Sequence, residues 1–173
     1  MTLPELSKEA VRIYLKEKRV IPVPENLPLE FLKRRAGVFV TIEEQGDLRG
    51  CIGTYLPTRE NIAQETISNA IAAALEDYRF NPVELKDLAN LSFGVSVLSK
   101  PEPVENIKEL DPKKYGIIIK TTDGSYQKSA LLLPDIDGVE TTDQQISIVC
   151  RKGGIDPKKE KTIISRFVIE KYT

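Results

Sequence analysis

Three observations predict an α+β fold with a mainly antiparallel sheet flanked by helices. Alternating runs pair around Gly-containing loops as hairpins, amphipathic helices lie between them, and no regular strand-helix-strand rhythm links the two. At 173 residues the chain fits one domain spanning 1–173, which by size scaling buries roughly 70% of its unfolded surface. It needs no disulfide staples to do so.

Taken in order, Ala10, Ile13 and Tyr14 recur at helical spacing, which predicts a helix from Ser7 to Arg19 capped by Ser7. Three prolines in Ile21-Pro22-Val23-Pro24-Glu25-Asn26-Leu27-Pro28 demand an extended connection over 20–28. A helical turn is expected from Leu29 to Arg35, and the basic Lys33-Arg34-Arg35 suits the negative end of its dipole. Val38 to Ile42 and Leu48 to Thr54 form a hairpin about Glu43-Glu44-Gln45-Gly46-Asp47.

The longest helix is placed from Arg59 to about Asp77 with Thr58 as its cap. Its stripe of Ala63, Ile67, Ala70, Ile71, Ala74 and Tyr78 is rich in small residues that permit close packing on a sheet. Asn81-Pro82 stops it, a helical turn covers 84–88, and Leu91 to Leu98 alternates as a strand. Ile117 to Thr121 and Ser129 to Leu133 make a second hairpin around Thr122-Asp123-Gly124-Ser125. Thr142 caps a helix through Arg151, with Ile146, Val149 and Cys150 inward, and Phe167-Val168-Ile169 forms a last strand. The segment around 101–134 is expected to be a smaller second lobe, with a cleft between it and the larger body.

Charge is nearly balanced, 25 basic against 26 acidic residues, so nucleic acid is not the default partner. The basic stretch Lys152, Lys158, Lys159 and Lys161 is interrupted by Asp156 and Glu160 and reads as solvated surface. No run approaches the ~20 apolar residues needed to span a bilayer, and the first residues lack a secretory pattern. A cytoplasmic protein with no membrane partner is expected. High charge, one Met and no Trp point to a thermophilic source.

Histidine is absent, which removes the commonest general base near neutral pH and the commonest transition-metal ligand. Two cysteines, Cys51 and Cys150, do not close a tetrahedral zinc site; a hard cation held by carboxylates stays conceivable, but no EF-hand or comparable spacing appears, so no metal or cofactor is expected. Strand alternation puts Leu48, Gly50, Ile52 and Thr54 on one side, and Arg49, Cys51 and Gly53 on the other. A guanidinium and a thiol, about 6 to 7 Å apart, thus share a face beside a bare glycine. A cation at ~6 Å favours the thiolate by roughly 0.7 kcal/mol in water and nearer 3 at an effective dielectric of 20. Cys51 is then either an activated nucleophile or a small core residue. Arg79 is either an anion contact or the ion-pair partner of Asp77 or Glu76, while Cys150 reads as structural.

Gly37-Val38-Phe39-Val40-Thr41 followed by Leu48-Arg49-Gly50-Cys51-Ile52-Gly53-Thr54 resembles the AMMECR-one domain family, whose signature is the string Leu-Arg-Gly-Cys-Ile-Gly. The similarity continues through Tyr78-Arg79-Phe80-Asn81-Pro82-Val83, Val95-Ser96-Val97-Leu98-Ser99, Tyr115-Gly116-Ile117, Leu131-Leu132-Leu133-Pro134 and Cys150-Arg151-Lys152-Gly153-Gly154. Tyr78 departs from the usual middle residue of Asp-x-Arg-Phe, and Ala130 stands where a glycine is expected before the Leu-Leu-Leu-Pro string. The resemblance implies an α+β domain with a larger part, a smaller part and a cleft, and partner proteins of the Memo-like and radical SAM type. It names no reaction.

Two functions fit these residues. In the first, the chain is an enzyme or enzyme subunit acting on a small anionic metabolite, with Cys51 and Arg49 catalytic and Gly50, Gly53, Tyr55 and Arg79 binding. Tyr55, Asp47 or a lysine then moves the proton that histidine would otherwise carry. In the second, the same face is a non-catalytic dock for a partner protein or nucleic acid.

Overall fold

A computed structural model describes residues 1–124 and 126–173. The chain divides into two compact units, one of Met1–Leu98 with Glu170–Thr173 and one of Ser99–Ile169.

Unit one is a four-stranded sheet in the order β2-β1-β3-β8, made of β1 (Val38–Glu44), β2 (Asp47–Thr54), β3 (Leu91–Leu98) and β8 (Ile169–Tyr172). Strand β1 pairs antiparallel with β2 and with β3. Every second residue of β1, namely Val38, Val40 and Ile42, is buried on one face. Phe93, Val95 and Val97 of β3 continue that face. Two helices cover it: α1 (Leu3–Glu17) with Leu3, Leu6 and Ala10, and α3 (Ile62–Leu75) with Ala63, Ile67, Ala70 and Ala74. The short α2 (Leu29–Lys33) adds Phe31 to the same core.

Helix α1 starts earlier than Ser7. Thr2 caps it and forms a capping box with Glu5, and Pro4 falls in the first turn, where a missing N–H costs nothing. Ser7 is instead wholly buried, donating its hydroxyl to Leu3 O at 2.9 Å. Helix α3, by contrast, starts later than expected, at Ile62, capped by Asn61, whose side chain accepts from Gln64 N. Thr58 is drawn off by Glu65, a carboxylate only 1% exposed. That group accepts from Thr54 Oγ1, from Thr58 N and Oγ1, and from Arg59 N. Burial alone would raise the Glu65 pKa, but these hydrogen bonds outweigh it and hold it below the usual value. Because α3 ends at Leu75, Tyr78 does not continue the buried stripe and stands 96% exposed.

Unit two is a second four-stranded sheet, order β4-β7-β5-β6: β4 (Glu102–Pro103), β5 (Gly116–Thr121), β6 (Ser129–Leu132) and β7 (Thr162–Phe167). The β5–β6 hairpin is antiparallel as expected; of its turn at 122–125, Ser125 lies outside the described residues. Helix α4 (Thr142–Gly153) is capped by Thr141 in a capping box with Gln144, one residue before the expected Thr142, and ends at Gly154 with φ 59°. Its Val149 and Cys150 join Ile117 and Ile119 in a core, where burial pushes the Cys150 thiol pKa up.

The final strand of the sequence reading is in fact two. Val168 separates β7, which pairs with β5 along its whole length, from β8 in the other sheet. Thr162, Ser165 and Arg166 blunt the alternation of β7, which is why only its last residue was legible.

Candidate functional site

The signature string occupies β2, an edge strand. Its hairpin turn is Gln45-Gly46, both at positive φ (53° and 90°), the two-residue loop whose twist suits antiparallel strands. Cα partners run Val40↔Ile52, Thr41↔Cys51, Ile42↔Gly50, then Glu43↔Leu48. Arg49 therefore has no partner on β1 and is the extra residue of a β-bulge. A bulge re-aims the side chain it carries, so alternation alone does not set where Arg49 points. Its guanidinium carbon lies 6.0 Å from the centre of the Phe80 ring.

Gly50 is buried and turned toward α3, where an added Cβ would stand 2.3 Å from Ala73 O. The close approach its bareness permits is that of the helix. Gly53 has the same property on the opposite face: an added Cβ would meet the Phe39 ring at 2.3 Å. Cys51 is half-buried, with Sγ 3.4 Å from Thr41 Oγ1 across the ladder. Tyr55, half-buried, follows the last residue of β2, and Asp47 is exposed at its start.

On an edge strand, every second residue directs its N–H and C=O away from the sheet. For Cys51 both groups are met by the loop after α3. Its N–H donates to Asp77 Oδ2 at 2.8 Å, and its carbonyl accepts from Arg79 Nη2 at 3.4 Å. Arg79 is fixed in turn by a two-pronged pair with Asp77, Nε to Oδ1 at 2.9 Å and Nη2 to Oδ2 at 2.7 Å. Asp77 is buried, yet the Arg79 hydrogen bonds, opposed by burial and assisted by the Cys51 and Arg79 amides, lower its pKa to about 2. The same pair raises the Arg79 pKa against the opposing effect of burial. Beyond Asp77, Arg79 also lies over Phe80, 5.4 Å from the ring centre.

The structure thus brings Arg49, Arg79 and Cys51 together around two residues that the sequence reading did not place in the site, Asp77 and Phe80. Both stand in Asp77-Tyr78-Arg79-Phe80, where the alternation of charged and aromatic residues just past a helix end was the available signal. No group of three or more Cys, Asp or Glu able to hold a metal ion occurs among the described residues. Nor is any helix among them long and apolar enough to cross a membrane.

Comparison with known proteins places this hairpin in a wider set. The AMMECR1 family model matches residues 4–172. A protein of Thermotoga maritima is 47% identical over 169 residues, covering 95% of each chain. One of Clostridium acetobutylicum is 41% identical over 97% of this chain but only 35% of its own length, so the chain spans about a third of that protein. Among solved structures, the crystal structure of an uncharacterized protein from Pyrococcus horikoshii matches with a TM-score of 0.88 at 32% identity, covering 98% of this chain and 88% of that one. Sequence and backbone agree from end to end, and the chain belongs to the AMMECR1 family.

Proposed function

We propose that the chain acts, as an enzyme or an enzyme subunit, on a small anionic metabolite held by Arg49 and Arg79 beside the Cys51 thiol. The observation that carries this reading is the gathering of two guanidinium groups on one phenylalanine ring. Asp77 neutralises one of them. Arg49 is in no ion pair among the described residues, so the cluster keeps a net positive charge in a half-buried setting, where attraction for an anion exceeds its value in open water. Cys51 supplies the nucleophile class that a histidine-free site can still offer. Docking by strand addition fits this stretch less well, because the Cys51 amide and carbonyl that a new strand would need are already bonded.

Alkylation of Cys51 by a charged and a neutral reagent tests the reading in a Cys150→Ser background. Iodoacetate should outpace iodoacetamide relative to the same ratio on free cysteine, and the excess should shrink in Arg49→Ala and with added salt. A ratio equal to that of free cysteine, or a Cys51 that neither reagent reaches in the folded protein, overturns it.

A further inference from the structure

We infer that unit one carries a second ligand site, a groove that takes an amphiphilic monoanion, a hydrocarbon chain ended by a carboxylate. The groove has a volume of about 480 Å³, within the range of small-molecule pockets. One wall is a face of α3, where Gln64, Ile67, Ser68 and Ile71 recur at helical spacing. The other wall is the extended Ile21-Pro22-Val23, with Tyr14 of α1 beside it. Ile21 and Val23 are hydrocarbon residues and Pro22 between them has no N–H, so this wall suits a hydrocarbon chain better than a polar one.

The charge lies at one end. Arg59 lines the groove and also an adjoining opening shared with Arg35, Thr58, Glu60 and Gln64. Its backbone is pinned on both sides, the N–H donating to Glu65 at 2.8 Å and the carbonyl accepting from Arg35 Nε at 3.1 Å. Its Nη2 donates to Ser68 Oγ at 3.2 Å, which lays the guanidinium along the α3 wall with further N–H groups to give. Arg35 and Arg59 here face Glu60 and the buried Glu65 carboxylate that holds the Arg59 amide, so an acid head is recognised by the open N–H groups of the Arg59 guanidinium rather than by a surplus of charge. Glu76 marks the other end, eight residues past Ser68 and so about 12 Å along the helix from the Arg59 contact. A second negative charge on the ligand would meet it, so the polarity of the groove selects one acid head and a neutral tail.

Calorimetric titration of the full chain with decanoate, decanedioate and decanol tests this assignment. Decanoate should bind saturably, decanol and decanedioate more weakly, and Arg59→Gln should cost decanoate about tenfold while leaving decanol unchanged. Ser68→Phe, or Gln64→Phe if the first does not fold, should abolish binding of all three while retaining the native circular dichroism spectrum. Arg49→Ala should change nothing here, which separates the groove from the Cys51 site. Absence of saturable decanoate binding, equal affinity for acid and alcohol, or binding that survives a folded groove-filling variant overturns the assignment.

Discussion

The Asp77 carboxylate accepts the amide hydrogen of Cys51 at 2.8 Å and so completes the open edge of β2 at its central residue. An exposed strand edge invites pairing with other chains, and a single carboxylate here does what a neighbouring strand would do. The same oxygen receives Arg79 Nη2, so the sheet edge and the cation are held by one buried group.

Asp77→Asn should therefore be destabilising in a pH-dependent way. The Asp77 pKa is depressed to about 2, so its contribution is complete above the unfolded-state value near 4 and is lost as pH falls toward 2. With the arginine side chain 45% exposed and solvent screening the pair, the loss at neutral pH is on the order of 1–2 kcal/mol. Urea unfolding from pH 7 down to pH 2 should show the gap between the two proteins closing. A constant gap would mean that the charge contributes nothing.

Arg79→Met should be worse than Asp77→Asn, since it leaves a buried carboxylate without its cation. Adding Asp77→Asn to it should recover stability rather than lose more. A double-mutant cycle in urea reads this directly: additive losses would show that the pair is not coupled.

Two glycines of the hairpin should respond differently to alanine. At Gly50 the new Cβ has the Ala73 carbonyl 2.3 Å away, and backbone must move. At Gly46 there is open space, and only the positive φ of 90° is strained. Gly50→Ala should cost upward of ~2 kcal/mol and Gly46→Ala about 1, compared by thermal unfolding. Equal losses would remove the packing argument.

Glu65→Gln keeps an acceptor for the Thr58 and Arg59 amides but turns an NH2 toward the Thr54 and Thr58 hydroxyls, which must then accept, and it removes the charge that strengthens all four bonds. A loss of about 2 kcal/mol or more is expected, with proteolysis of the 55–60 loop accelerated well before global unfolding. Unchanged protection of that loop would show that the carboxylate does not hold it.

Much of this was legible in the sequence because local patterns agreed with tertiary ones. Strand β3 spans Leu91–Leu98 as its alternation indicates, and the hairpin spans the signature string. Cap positions were harder, because a threonine or serine is a credible cap wherever it stands. Thr58 and Ser7 were claimed instead by Glu65 and by the Leu3 carbonyl, partners that only the fold supplies. The site was half readable for the same reason. Alternation put Cys51 on a face, but the bulge that governs Arg49 appears only once β1 lies alongside. Asp77 is far from Cys51 in sequence and declares itself only through the strand edge it finishes.

The one-residue interruption at Val168 has a consequence for how the chain is made. Unit two is threaded into unit one as an insertion, and the chain comes back to its first sheet only at β8. During synthesis, β1, β2, β3 and the helices over them emerge well before their last strand. Until residues 169–172 leave the ribosome, β3 carries a bare edge while the whole inserted unit is being translated. The insertion can close its own sheet as soon as β7 appears, so the later-made unit is free to finish folding before the earlier one does.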